Sequence, residues 1–170
     1  DELAQGFKAK AIILHDAEDH VDRHELRIFD LLTEKVQAVQ LPVIPVAVKN
    51  SPWVSGHYLD EFAEAHSKNL VVREAIGAAI PLAGVGCALE RNMLGQIAIN
   101  NGNMPFDPSS LTEDYELGLR IGGRGGSTII ARIKDEAGHM VGTRACFPAT
   151  LSAAVRQKTR WIMGISLAGW

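Results

Sequence analysis

Two acidic side chains directly after an apolar stretch are the first candidates for chemistry in this sequence. Asp16 and Glu18 follow the run AIIL at 11–14, which is typical of a buried strand. Ligands of α/β proteins bind at the carboxyl ends of strands, and Mg²⁺ commonly binds one or two carboxylates together with substrate phosphates. The spacing therefore indicates a pair of metal ligands. The competing interpretation is a solvated acidic turn in which Asp19 or Asp22 caps the next helix.

Histidines near these acids open a second possibility. His15, His20 and His24, together with Asp16, could form the site of a His/Asp metal-dependent phosphohydrolase. Enzymes of that class carry their His-Asp pair on a helix, whereas this pair ends a predicted strand. The phosphohydrolase interpretation is therefore disfavoured.

A second acidic motif stands at the predicted start of a helix. The stretch LTEDYELGLRI at 111–121 predicts a helix with Thr112 as a candidate N-cap and with Glu113 and Asp114 in its first turn. A carboxylate at this position can act as a general base if it reaches a hydroxyl that must lose its proton. The alternative is that the three residues only cap the helix and complement its dipole.

The stretch RQKTRW at 156–161 combines an amide, a guanidinium and an indole on one side of a predicted helix. Gln157 lies three residues before Arg160 and four before Trp161. The planar guanidinium suits a diphosphate, and an indole can stack on a sugar or base ring. Alternatively, this is an interfacial helix with solvated basic residues, in which Trp161 and Trp170 pack or contact lipid.

The loop GVGCALERN at 84–92 is the weakest of the candidate motifs. Gly84 and Gly86 allow the backbone to approach a ligand closely, but glycines in a strand also mark bulges. The loop matches neither the GxGxxG nor the Walker pattern of phosphate binding.

Composition limits the classes of protein to consider. The 170 residues, 46% of them hydrophobic, suffice for one compact domain, and a net charge of −3 argues against a nucleic-acid-binding surface. No apolar run reaches the roughly 18 residues that a membrane span needs. Cys87 and Cys146 lie in apolar surroundings without CxxC spacing, which indicates buried thiols in a reducing compartment, with one disulfide as the alternative.

Strand and helix patterns alternate along the chain, which predicts an α/β domain with a mainly parallel sheet and flanking helices. The segment 36–48 predicts a short strand and an extended connection, and SPWVSG at 51–56 predicts a turn. The stretches 127–133 and 138–147 are expected to pair as strands around the turn DEAG. Both ends of the chain fall close to predicted elements, so we expect it to be part of a larger protein.

Taken in order, these motifs resemble the signature of family 2 glycosyltransferases, in particular the membrane-embedded processive branch that includes cellulose synthase. That signature is DxD, TED and QxxRW, here Asp16-Ala17-Glu18, Thr112-Glu113-Asp114 and the residues 157–161. The resemblance covers essentially the whole chain, and GHYLDEFAEAH and RQKTRWIMGISLAGW are closest to a bacterial inner-membrane member. It implies the C-terminal part of a GT-A-type domain, with a catalytic core at 1–150, the nucleoside-binding units missing, and an amphipathic interface helix at 151–170.

The resemblance also implies a role for each motif in an inverting transfer of a sugar from a nucleotide diphosphate to a glycan hydroxyl. Asp16 and Glu18 would hold Mg²⁺ or Mn²⁺, with Asp19 as a substitute for Glu18, and Asp114 would be the catalytic base. Gln157 and Arg160 would steady the diphosphate, and Trp161 would form the acceptor platform. The full set of implied substrate-binding residues is Gly84, Gly86, Glu113, Gln157, Arg160 and Trp161.

The same branch implies partners and a location. We expect a nucleotide-sugar donor, a glycan acceptor, a place in bacterial surface polysaccharide synthesis and no nucleic acid. The catalytic domain would be cytoplasmic, attached to the inner membrane through flanking helices, with an export protein as a candidate partner. The alternative is a non-catalytic, glycosyltransferase-like scaffold or binding module of a membrane export or receptor assembly.

Overall fold

The computed structural model of the protein describes residues 9–107 and 110–167. Within these residues, four strands form one sheet in the order β1-β4-β2-β5, and β3 pairs with β6 in a second sheet. The strands are β1 (Ala11–Leu14), β2 (Ala38–Gln40), β3 (Val43–Pro45), β4 (Cys87–Glu90), β5 (Thr128–Ile130) and β6 (Thr143–Ala145).

The larger sheet is mixed, which corrects the prediction of a mainly parallel sheet. Strand β4 runs antiparallel to both β1 and β2, whereas β5 runs parallel to β2. Leu14 at the end of β1 and Gln40 at the end of β2 both pair with Cys87, the first residue of β4. Because the loop before β4 already lies at the edge where β1 ends, β4 must run away from that edge. The α/β class and the flanking helices are confirmed.

The predicted hairpin around the DEAG turn is largely wrong. β5 pairs with β2 and β6 pairs with β3, so the two strands belong to different sheets. Between them, the described residues form an isolated bridge from Lys134 to Met140. Each strand instead buries its apolar residues against an earlier strand.

The helices are α1 (Glu25–Leu32), α2 (Pro52–Glu64), α3 (Leu70–Ala75), α4 (Arg91–Ile99), α5 (Glu113–Gly123) and α6 (Leu151–Trp161). A π-helical segment, Ala65–Asn69, joins α2 to α3, and a second one, Ile162–Leu167, follows α6. The turn predicted at SPWVSG is wrong, because α2 already begins at Pro52, whose fixed φ and missing N–H suit a first helical turn. Trp170, which was expected to end the interface helix, lies outside the described residues.

The larger sheet is covered on both faces, since alternate residues of a strand point to opposite sides. Cys87 and Leu89 of β4 pack in a cluster with Leu94 of α4 and Leu117 of α5. Ala88, between them, belongs to the cluster that contains residues of α1. The cysteine prediction holds for Cys87, which is buried; Cys146 is exposed, because it follows the edge strand β6, and both are free thiols.

Candidate functional site

A cleft of about 740 Å³ opens at the edge of the larger sheet where β1 ends and β4 begins. It brings together side chains from all of the separated motifs. The predicted residues that line it are Asp16, Glu18, Gly84, Glu113, Asp114, Gln157, Arg160 and Trp161. We call Asp16, Glu18, Gly84 and Asp114 the sheet wall of the cleft. We call Gln157, Arg160 and Trp161, with the aromatic residues behind them, the helix wall.

The acidic turn after β1 supplies the rim of the sheet wall. Asp16 and Glu18 are exposed, whereas the side chain of Asp19 is 1% exposed and its Oδ2 accepts a hydrogen bond from the backbone N–H of Asp16 at 3.0 Å. Partial burial of the carboxyl and repulsion from Asp19 and Glu18 raise the pKa of Asp16, and the positive charge of Arg160 opposes this rise. Asp19 therefore shapes the turn and does not line the cleft, so the geometry favours Glu18 over Asp19 as the second carboxylate.

The three histidines of the phosphohydrolase interpretation are engaged in separate contacts. The Nε2 atom of His15 lies 2.7 Å from Oε1 of the fully buried Glu25. His20 forms a backbone bridge with Arg144, and Nε2 of His24 accepts a hydrogen bond from Arg23 at 2.9 Å. This dispersal gives the phosphohydrolase interpretation no support.

Gly84 and Asp114 are in direct contact at the base of the cleft. Gly84 has a φ of +75°, and a Cβ atom there would overlap Oδ2 of Asp114 and lie 3.1 Å from its Cγ. A side chain at this position would thus displace the carboxylate. The sequence motif that was weakest as a phosphate cradle has a clear steric role beside the acid.

The Asp114 carboxyl is half-buried at the start of α5. Burial raises its pKa, and the negative charge of Glu113 adds to the rise. A hydrogen bond of 2.8 Å from the N–H of Tyr115 to Oδ1 and the charge of Arg160 act in the opposite direction. A carboxylate with a raised pKa is a stronger base than an ordinary aspartate, provided that it is ionised.

Thr112 occupies its predicted position at the start of α5, whereas Gly86 lies outside the cleft. Thr112 stands at the N-cap of α5 without a side-chain capping hydrogen bond, and its hydroxyl faces Gly164. Gly86 has a φ of +60°, and its missing side chain leaves room for Thr143. Gly86 does not appear among the residues that line the cleft, so its geometry supports a packing role behind the sheet wall.

Sequence reasoning missed Gln40, which fixes the glycine loop. The fully buried Gln40 side chain donates from Nε2 to the carbonyl oxygens of Val85 at 2.9 Å and Gly86 at 3.2 Å. Its Oε1 accepts from the N–H of Ala83 at 2.9 Å. Gln37 and Gln40 are the two glutamines of the otherwise apolar segment 36–48. A polar side chain in such a segment was the signal that could have identified Gln40, because buried polar side chains need partners.

The helix wall is built by α6 packed on α2. The hydroxyl of Tyr58 donates to Oε1 of Gln157 at 2.7 Å, and the ammonium of Lys158 forms an ion pair with Glu61. On the other side, Arg160 donates to the carbonyl oxygen of Leu111 at 3.2 Å, one residue before the TED motif. Arg160 therefore connects the two walls.

Trp161 belongs to an aromatic cluster that sequence reasoning did not foresee. Its ring meets those of Phe62, Tyr58 and Phe147 edge-on, with centroids 6.3, 6.4 and 6.5 Å away. Phe62 and Phe147 also line the cleft, so the indole is supported from behind by other rings. Two phenylalanines 85 positions apart offered no local signal, since their contact arises only in the fold.

Comparison with known proteins decides the family. The family model described as glycosyl transferase family group 2 matches residues 11–170. The chain belongs to this family. It is similar to bacteriophage adsorption protein B of Escherichia coli (strain K12), with 38% identity over 185 aligned positions that cover 99% of this chain. Bacteriophage N4 adsorption protein B of Escherichia coli O157:H7 is similar to the same extent.

As a family 2 glycosyltransferase domain, the chain has the fold and the relatives that its motif order predicted. The narrower resemblance, to a bacterial member tied to phage adsorption, agrees with the names of these two relatives. The chain spans 25% of the length of those relatives. Among the described residues of this family 2 domain, no helix is both long and apolar enough to cross a membrane.

Proposed function

We propose that the cleft is the site of an inverting, metal-dependent transfer of a sugar from a nucleotide diphosphate to the hydroxyl of a glycan. One observation carries the proposal: the acidic turn after β1, the start of α5 and the QxxRW helix are far apart in sequence and line the same cleft. Membership of the family supports glycosyl transfer in general. The residues of the cleft supply the finer assignment.

The metal assignment rests on the chemistry of the available donors. Asp16 and Glu18 present hard oxygen donors on one rim, and no group of three or more potential His, Cys, Asp or Glu ligands occurs among residues 9–107 and 110–167. Two carboxylates fit Mg²⁺ or Mn²⁺ that completes its coordination with diphosphate oxygens and water. The bound ion would supply positive charge against the negative charge of the departing diphosphate.

Asp114 is the proposed base. Its carboxylate takes the proton of the acceptor hydroxyl as that oxygen attacks the anomeric carbon from the face opposite the diphosphate. Burial, which raises the pKa of Asp114, makes it better suited to this task than a solvated aspartate. Gly84 keeps the carboxylate in place by leaving room for it.

The remaining residues of the cleft bind the substrates. Arg160 and Gln157 donate hydrogen bonds to the diphosphate, with the guanidinium stabilising the charge that grows there. Trp161 is the acceptor platform, since its ring is exposed to the cleft and braced by the aromatic cluster. Glu113 lines the cleft beside the base, and we assign it to the acceptor side, where hydroxyl groups can donate to it.

The names of the relatives support a proposal for the biological setting. Their names connect them with bacteriophage adsorption, which suits an enzyme that makes a polysaccharide of the bacterial surface. On this proposal the domain works at the cytoplasmic side of the inner membrane and passes its product to an export partner. The relatives' names also favour a second candidate, a non-catalytic scaffold in a membrane receptor assembly.

Metal-dependent hydrolysis of nucleotide sugars separates the two candidates. The natural protein is incubated with UDP-sugars and Mn²⁺, and the release of UDP is followed. We expect Mn²⁺-dependent release that is lost when Asp16→Asn is combined with Glu18→Gln. The matched control combines Asp60→Asn with Glu64→Gln, which makes the same two changes at exposed positions of α2 outside the cleft. No release from the natural protein would favour the scaffold, whereas equal loss in the control would contradict the assignment of Asp16 and Glu18 as the metal ligands.

A further inference from the structure

Tyr58 is a fully buried residue of α2 whose hydroxyl reaches the QxxRW motif. It is 0% exposed, and its hydroxyl donates to Oε1 of Gln157 at 2.7 Å across a separation of 99 residues. A buried hydroxyl needs a hydrogen-bond partner, and the side-chain amide of Gln157 supplies it. The contact therefore constrains both groups.

The ring of Tyr58 is held so that this hydroxyl has little freedom to move. It stacks on Phe147 with centroids 4.7 Å apart, and the Lys158 ammonium lies 4.6 Å from the ring centroid. A cation over the face of an aromatic ring is attracted to it, which adds to the packing that fixes the phenol. Held in this position, the hydroxyl donates to the carbonyl oxygen of the Gln157 amide.

Because the oxygen of the Gln157 amide accepts the hydrogen bond from Tyr58, its amino group is left to donate to other partners. Gln157 lines the cleft, and the oxygens of a diphosphate only accept hydrogen bonds. A carbonyl oxygen turned towards them would repel, whereas an N–H group would bind. The orientation of the Gln157 amide therefore matters for any such ligand.

We propose that Tyr58 is a positioning residue that holds the Gln157 amide with its amino group directed at the diphosphate of the donor. The inference rests on the proposed function, because it takes the diphosphate as the ligand of Gln157. It assigns Tyr58 no contact with the substrate. It also explains why the QxxRW helix is packed against a buried tyrosine rather than an apolar side chain of the same size.

A double-mutant cycle with UDP as the probe tests this role in the natural protein. UDP is titrated with Mn²⁺ into wild type, Tyr58→Phe, Gln157→Ala and the double variant. We expect Gln157→Ala to weaken binding about tenfold, in line with the loss of a hydrogen bond to a charged group, and Tyr58→Phe to weaken it several-fold. Because Tyr58 acts only through Gln157, the double variant should bind like Gln157→Ala alone.

Gln157→Glu provides a second variant that does not depend on the tyrosine change. A glutamate can still accept the hydrogen bond from Tyr58, but it presents an oxygen in place of the amino group. We expect it to lose at least as much UDP affinity as Gln157→Ala. A Gln157→Glu variant that binds UDP as tightly as wild type would overturn the inference.

The other outcomes separate this inference from the proposed function. Losses that multiply in the double variant, or a Tyr58→Phe variant that binds like wild type while Gln157→Ala binds poorly, would refute the positioning role and leave the diphosphate site intact. Unchanged binding by Gln157→Ala would refute the role of Gln157 and of Tyr58 together. A wild-type protein that binds no UDP would contradict the proposed function itself, and the positioning role with it.

Discussion

The two walls of the cleft are held in place by different kinds of interaction. On the sheet wall, Asp16 follows a strand whose register is fixed by β4, and the loop around Gly84 is tied by Gln40 to its backbone groups. On the helix wall, α6 is held by side chains, namely the Tyr58–Gln157 hydrogen bond, the Lys158–Glu61 ion pair and the aromatic cluster.

The two walls are suited to different parts of the reaction. A wall fixed by strand pairing and by hydrogen bonds to its backbone groups keeps reacting groups in one geometry, as a base requires. A wall held by side chains can be altered one contact at a time, which suits the binding of substrates that must also leave. We therefore expect changes at Gly84 and Asp114 of the sheet wall to affect turnover, and changes on the helix wall to affect affinity.

The largest effect is expected from Asp114→Asn on the sheet wall. Loss of a general base should lower turnover by roughly 10²–10⁴-fold, while donor binding stays close to that of wild type because the amide fills the same space. Transfer kinetics and UDP binding, measured on the same preparation, check this. Turnover within about tenfold of wild type, about 1.4 kcal/mol in the barrier, would rule out Asp114 as the base.

The second largest effect is expected from Gly84→Ala. Turnover should fall roughly 100-fold, because the new methyl group displaces the Asp114 carboxylate. The chain offers a matched control in Gly77→Ala. Gly77 has a φ of +69° with open space around it, so alanine there adds only backbone strain of about 1–2 kcal/mol. Thermal unfolding should show the loss from backbone strain in both variants, with any additional loss in Gly84→Ala coming from the displaced carboxylate. Equal activities of the two would mean that Gly84 has no steric role beside the base.

Trp161→Ala tests the helix wall. We expect the KM of the acceptor to rise up to about tenfold, the scale of an aromatic contact of about 1 kcal/mol, with a smaller change in donor affinity. Trp53→Ala is the control, since the side chain of Trp53 is 90% exposed on α2 and lies outside the cleft. Equal losses for acceptor and donor would contradict the platform role and would point to a general loosening of α6.

The smallest expected effect is a shift in the pH dependence of kcat/KM. Asp114 must be deprotonated to act, and its pKa is raised, so activity should fall with decreasing pH at a higher pH than for an ordinary aspartate. Glu113 raises this pKa and Arg160 lowers it. Glu113→Gln should therefore move the acid limb to lower pH and Arg160→Gln should move it to higher pH. Shifts of the same sign in both variants would show that another group controls the limb.

The sheet wall could be predicted from the sequence to a large extent. Asp16 follows an apolar run, and Thr112-Glu113-Asp114 stands at a helix start, so local patterns identified both positions. The pattern could not reveal that β4 runs antiparallel to β1 and β2, because strand direction depends on where the preceding loop lies. It also could not reveal Gln40, whose partners are 43 to 46 residues away.

For the helix wall, the sequence predicted the side chains that line the cleft but not the residues that hold α6 in place. Gln157, Arg160 and Trp161 share a helix face by spacing alone. Tyr58 meets Gln157 across 99 residues, and the segment just before it was predicted as a turn although α2 begins at Pro52. No local pattern relates Tyr58 to Gln157, because their contact arises only when α6 packs on α2.

The most direct test of the account is a calorimetric titration of UDP into the protein with and without Mn²⁺. The Asp16→Asn, Glu18→Gln variant is titrated in parallel, with Asp60→Asn, Glu64→Gln as the matched control. We predict binding that requires Mn²⁺, is lost in the cleft variant and is retained in the control. Absence of binding to the wild type, or Mn²⁺-dependent binding that survives in the cleft variant, would contradict the assignment of this cleft as a metal–diphosphate site.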